Sequence, residues 1–148
     1  MPINSNLSCV AFDEMSLQEY INQCRENVSL EGLEDFGSLG KTNKNATSVL
    51  VFMARGLTTK WKYPLWYFLS NGPMDRDRLA RLLLQCISKL SDVGLIVKCI
   101  VSVQGQSNQA LICKSLKVGV DSCSKWKDIF VFFDPPYQLK SFRNNLKN

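Results

Sequence analysis

Histidine is absent from all 148 residues of this chain. That absence excludes imidazole acid–base chemistry and every catalytic triad built on it. The six cysteines, Cys9, Cys24, Cys86, Cys99, Cys113 and Cys123, include no C-x-x-C pair. Without histidine or paired thiolates, a zinc finger or catalytic zinc centre lacks its usual ligands, so no zinc is expected. No apolar run approaches the ~18–20 residues that cross a bilayer, and no membrane partner is expected. The first eight residues lack a basic stretch followed by an apolar one, which reads as an intracellular rather than a secreted protein. Internal repeats and low-complexity tracts are missing too.

What is present is a chain of single-domain length in which 45% of residues are apolar, enough for a substantial core. Most of the cysteines lie in apolar stretches and are expected as buried free thiols. A net charge of +5 is compatible with an anionic partner such as nucleic acid, and equally with a solvated basic surface.

Along the chain, Leu7–Phe12 is a short apolar run followed by Asp13-Glu14, the pattern of a buried strand with acids at its C-terminal end. The stretch 15–47 is polar, with Gly32, Gly37 and Gly40, and reads as a long connection holding a weak helix near Leu17–Cys24 and a short strand. Ser48–Arg55 is a strand broken by Gly56, and Lys62–Leu69 an aromatic-rich second arm, together an antiparallel hairpin. Pro64 marks an edge or a strand start. After the turn Asn71-Gly72-Pro73, a helix is predicted over about Asp75–Asp92, with Leu79, Leu82, Leu83, Cys86, Ile87, Leu90 and Val93 at helical spacing. Asp75 caps one end and Gly94 stops the other.

Leu95–Val103 is almost continuously apolar, as for a strand buried on both faces. A polar turn and a helix to about Leu116 follow, then a buried strand Ile129–Phe133 ending in Asp134-Pro135-Pro136. The last stretch carries Leu139, Phe142 and Leu146 on one helical face, with Lys140, Arg143 and Lys147 elsewhere. This order predicts an α/β domain over residues 1–148: a mixed sheet of three antiparallel-type strands and then two parallel ones, with helices on its faces. It is the element order of the RNase H-like fold.

Ligands of open α/β sheets gather at the carboxyl ends of parallel strands, where Asp13 and Asp134 are expected. Carboxylates there suit Mg²⁺, a hard cation, and two such ions can drive phosphodiester cleavage without histidine. An aspartate before two prolines is also a common turn former, which is the competing reading of Asp134. The strand beside the first should end in a further acid, but the sequence reads Ser102-Val103-Gln104, and valine offers no ligand. Lys60 and Lys62, interleaved with Trp61, Tyr63 and Trp66, suit phosphate contact and base stacking, or equally a packed aromatic core with solvated lysines. Lys140 and Arg143 fit a DNA-facing stripe or a plain solvent face.

Four stretches taken together resemble the RNase H-like region of P-element-type DNA transposases, including the THAP-domain transposases of animals. These are Val10-Ala11-Phe12-Asp13-Glu14-Met15-Ser16; Val51-Phe52-Met53-Ala54-Arg55-Gly56-Leu57 with Lys60-Trp61-Lys62-Tyr63-Pro64; Gly94 to Asn108; and Phe133-Asp134-Pro135-Pro136-Tyr137-Gln138-Leu139-Lys140 with Arg143-Asn144-Asn145. The resemblance implies DNA strand cleavage and joining with divalent metal (Mg²⁺), a nuclear location, DNA as partner, transposase self-association, and Asp13 as the first catalytic acid and metal ligand. The family pattern after the buried strand is Asp-x-Gly-x-x-Asn, whereas this chain has Val103-Gln104-Gly105-Gln106-Ser107-Asn108. Tyr137 stands where the family has histidine. The family's third acid, a glutamate, lies beyond an inserted nucleotide-binding domain, and its DNA-reading zinc domain precedes this region. The expectation is therefore a truncated, catalytically incomplete transposase domain, with a domesticated DNA- or protein-binding module as the alternative.

Overall fold

The computed structural model describes residues 5–17, 22–24, 29–102 and 129–133, and side chains throughout these except over 22–24 and 29–31. Nine strands and one α-helix are formed by them: β1 (Leu7–Ser16), β2 (Asn22–Cys24), β3 (Ser29–Glu31), β4 (Leu33–Asp35), β5 (Lys41–Asn45), β6 (Ser48–Gly56), β7 (Lys62–Ser70), α1 (Arg76–Asp92), β8 (Ile96–Ser102) and β9 (Phe130–Phe133). Seven strands make one sheet in the order β5-β4-β7-β6-β1-β8-β9, and β2 and β3 pair separately. β1 is the hinge of the topology, antiparallel to β6 on one side and parallel to β8 on the other, while β9 continues the parallel side. The expected mixed α/β sheet is present, with its antiparallel half extended by the β4–β5 hairpin.

Alternation along the central strands sorts side chains to two faces. Val10 and Phe12 of β1, Leu50, Phe52 and Ala54 of β6, and Ile100 of β8 form the core face. α1 covers it with Leu79, Leu82, Leu83, Cys86 and Leu90, all buried. Phe52, fully enclosed, stacks tilted on Phe12 and edge-on to Phe68. The helix begins where expected: the Asp75 carboxylate accepts the Arg78 N–H at 3.3 Å. It ends in a Schellman arrangement, with Leu95 N–H donating to Leu90 C=O and Gly94 N–H to Ser91 C=O, both at 2.9 Å. Gly94 takes φ +83°, which a side chain would resist. Val93 falls at the cap and is exposed instead of buried.

Four sequence expectations need correction. β1 does not stop at Phe12: its ladder with β6 continues to Ser16↔Ser48, so Asp13 and Glu14 lie within the strand. Asn22–Cys24 is extended, not helical, because its backbone pairs with Ser29–Glu31. Much of the remaining stretch to residue 47 is strand too, a 3₁₀ turn at Gly37–Leu39 linking β4 to β5. β9 is not buried on both faces, since β8 alone pairs with it among the described residues, leaving Phe130 and Phe132 exposed while Val131 and Phe133 pack on the core.

Pro64 sits at a β-bulge: the β6–β7 register passes from Phe52↔Trp66 to Met53↔Pro64, leaving Leu65 as the extra residue. Cys9, Cys86 and Cys99 are buried free thiols, as expected, and Cys9 faces Cys99 across the β1–β8 ladder. Burial, reinforced by Cys99, pushes the Cys9 thiol up to about 12. Among the described residues no helix is long and apolar enough to cross a membrane. The helices expected to about Leu116 and at the C-terminus lie outside the described residues.

Candidate active site

Among the described residues, the parallel ladder between β1 and β8 runs to Phe12↔Ser102. Asp13 is the next residue of β1 after that last described pair, opposite Val51 of β6 on its other side. Alternation turns its side chain to the face away from α1, where it is exposed. A depression of about 300 Å³ opens there, lined by Ala11, Asp13, Met15, Val51, Met53 and Val101 among others. Among the described residues Asp13 is the only carboxylate in that lining, and its Oδ1 already accepts the Glu14 N–H at 2.8 Å. Ser102 also borders the depression, but its buried hydroxyl has no hydrogen-bond partner among the described residues.

Glu14 points the opposite way. Its carboxylate accepts the Met74 backbone N–H at 2.7 Å and so anchors β1 to the turn before α1. Burial raises its pKa above the ordinary value, more strongly than the Met74 N–H lowers it, and the Asp13 charge adds to the rise. A buried carboxylate, Glu34 of β4, grips the same turn by accepting the Asn71 N–H at 2.6 Å, and also accepts the Thr42 hydroxyl of β5. Burial opposes its ionisation, but those two donors, with Lys44 and Arg78 nearby, hold its pKa below the ordinary value. Thr47 Oγ1 accepts the Gly72 N–H at 2.7 Å. Sequence reasoning noted Glu14 only as an acid at a strand end and missed Glu34, because no local pattern tells a strand glutamate that grips a turn from one that is solvated.

Lys60 and Lys62 are exposed, at the far end of the β6–β7 hairpin from Asp13. Lys62 pairs with Arg55 while Asp13 pairs with Val51, a separation of four strand positions, roughly 13 Å along the sheet. The structure therefore does not bring them together with Asp13. The aromatics divide between the two readings: Trp61 and Trp66 pack against the core, whereas Tyr63 and Tyr67 are exposed. Val103, Asp134, Lys140 and Arg143 lie outside the described residues.

A mixed sheet whose first strand lies between an antiparallel hairpin arm and a parallel strand, with an aspartate directly after the last described pair of the parallel ladder, defines an RNase H-like domain. The comparisons with known proteins are specific. Residues 2–117 match the family described as TNP-like, RNase H N-terminal domain. The chain is 30% identical over 148 residues to the DNA transposase THAP9 of Homo sapiens, covering 90% of this chain and 16% of that protein. It is 34% identical over 105 residues to the Transposable element P transposase of Drosophila melanogaster, covering 66% of this chain and 13% of that one. Among solved structures, the Drosophila P element transposase strand transfer complex superposes with a TM-score of 0.67 at 27% identity, over 95% of this chain and 29% of that chain. This chain belongs to the TNP-like RNase H N-terminal domain family and is an RNase H-like domain of the P-element transposase type. It spans less than a third of the length of each of these three relatives.

Proposed function

We propose that this domain descends from the DNA-cleaving core of a P-element-type transposase and that the chain by itself does not cut or join DNA. One observation carries the reading: among the described residues, Asp13 is the lone carboxylate lining the depression beside the β1–β8 ladder. Transposases of this fold family use divalent metal. A Mg²⁺ ion wants several hard oxygen ligands in near-octahedral array, and a pair of ions wants carboxylates that bridge them. Around Asp13 stand Ala11, Met15, Val51, Met53 and Val101, none of which supplies such an oxygen from its side chain. No group of three or more acidic or thiol side chains suited to a metal occurs among the described residues. The next residue after Ser102 is Val103, where the family pattern has an acid. The described residues do not fit the metal.

The test is a nicking assay on supercoiled DNA with Mg²⁺ or Mn²⁺. The expected result is no cleavage above the level of Asp13→Ala. Robust cleavage that Asp13→Ala abolishes overturns the reading.

A non-catalytic DNA-binding role is the second reading, favoured by exposed Tyr63 beside exposed Lys62 and Lys60. A nuclear location and self-association with a transposase follow from the same descent. On this reading DNA binding weakens steeply with salt and ignores Asp13→Ala. Charge removal at Lys60 and Lys62 then lowers the salt slope by about one ion per lost phosphate contact.

A further inference from the structure

Among the described residues, the outer edge of β7 is largely open. β6 ladders one side of β7 along its length, but on the other side β4 meets it at the single pair Asp35↔Leu69. In an antiparallel ladder every second residue turns both its N–H and its C=O away from the partner strand. Leu69 uses that side to meet Asp35, and Tyr67 is the next residue whose backbone faces outward. The bulge at Leu65 and the missing N–H of Pro64 limit the offered edge to a short stretch.

Beside this edge runs a groove of about 580 Å³ between β7 and the second half of α1. Its β-strand wall is Leu65, Trp66 and Phe68, and its helix wall is Gln85, Ser88 and Lys89. A hydrogen bond from the Ser38 hydroxyl to Gln85 Oε1 at 3.0 Å joins the 3₁₀ turn to the helix across it. Lys89 is the one charged residue among the lining residues described. Its ammonium is exposed, and its contact with Asp92 is long, at 3.8 Å. An exposed pair of that kind is weak and yields readily to a better-placed carboxylate.

We propose that this edge and groove form a docking site for a short extended peptide segment of a protein partner. The segment adds a strand to β7 at Tyr67, places an aliphatic or aromatic side chain between Phe68 and α1, and sets a carboxylate on Lys89. Main-chain pairing beside a side-chain pocket is how strand addition works: the backbone supplies affinity and the pocket supplies selectivity. A nucleic acid fits less well, because its binding scales with the number of cations that meet phosphates and this groove offers one. The site is separate from the Asp13 depression, and none of its argument rests on the nuclease ancestry.

The experiment is selection of displayed random octapeptides on the full chain, followed by synthesis of the enriched sequence. The expected outcome is alternating apolar residues with a neighbouring Asp or Glu. The bound peptide slows amide exchange at Tyr67. Ser88→Trp, an exposed helix position that fills the groove, weakens binding at least tenfold with thermal unfolding unchanged, and Lys89→Glu weakens it about threefold or more. Should the tryptophan variant fail to fold, Lys89→Glu together with the Tyr67 exchange decides. Failure to enrich any sequence overturns the proposal. So does a peptide indifferent to these variants, a dT8 oligonucleotide that occupies the groove instead, or concentration-dependent self-association blocked by Ser88→Trp.

Discussion

Glu14 and Met74 meet across the rim of the core, the glutamate carboxylate accepting the Met74 N–H at 2.7 Å, and through them the strand that carries Asp13 is fixed to the start of the helix layer. Burial lifts the Glu14 pKa above its ordinary 4.5, so the folded chain holds that proton more tightly than the unfolded chain does. Stability therefore falls as pH rises from 4.5 through the raised value and stays lower above it. Glu14→Gln keeps an oxygen for the Met74 N–H and removes the buried charge. In thermal melts from pH 4 to 8, the variant gains on the native chain as pH rises. A difference that does not change with pH disproves the assignment.

Glu34 has the opposite sign. Its folded pKa lies below 4.5, so it adds stability above that pH, which is lost as pH falls through the depressed value. Glu34→Gln gives up charge-assisted bonds to Asn71 and Thr42 and is expected to cost about 1–3 kcal/mol at pH 7. The gap narrows toward pH 3. Denaturant titrations at both pH values measure it.

Two glycines separate steric from conformational demand. A Cβ on Gly56 would lie 2.6 Å from the Thr59 carbonyl oxygen and from the Trp61 indole nitrogen, so the hairpin loop must shift to admit it. Gly94 has open space around it and only its positive φ to defend. Gly94→Ala is expected to cost about 1–2 kcal/mol. Gly56→Ala carries an overpacking cost of about 1–3 kcal/mol and also displaces Trp61. The check is urea unfolding combined with Trp fluorescence: only Gly56→Ala changes the folded-state emission.

The metal question has a readout that needs no cleavage. Mn²⁺ titration monitored by relaxation enhancement should give only weak binding, little changed by Asp13→Ala. Val103→Asp restores the acid of the family pattern and is expected to tighten Mn²⁺ binding about tenfold or more, on the scale by which ligand-shell changes alter metal sites. Asp13→Ala in that background removes the gain. Tight binding by the unaltered chain contradicts the proposed loss.

The parts of the fold that were legible in the sequence are those whose own pattern agrees with their packing. α1 shows its apolar stripe, its Asp75 cap and its Gly94 stop in plain order. The β6–β7 hairpin and β8 show continuous apolar or aromatic runs. β5 was illegible because Lys41-Thr42-Asn43-Lys44-Asn45 has no apolar alternation at all. Its strand form comes from pairing with β4 at the end of the sheet. The end of β1 was misread because the apolar run stops at Phe12 while the backbone partner, β6, goes on to Ser48. The place of Asp13 on the first strand was readable, but its apolar surroundings were not, since Val51, Met53 and Val101 come from strands distant in sequence.

The order of strands also dictates when this domain can be completed. β1 is made before the other described strands, yet its parallel partner begins at Ile96, which pairs with Leu7. Nearly ninety residues must be synthesised and their loop entropy overcome before the opening strand is held on both sides. Until then it is flanked by its antiparallel neighbour alone, its other hydrogen-bonding edge bare, and the nascent chain carries the aggregation risk of an unpaired central strand.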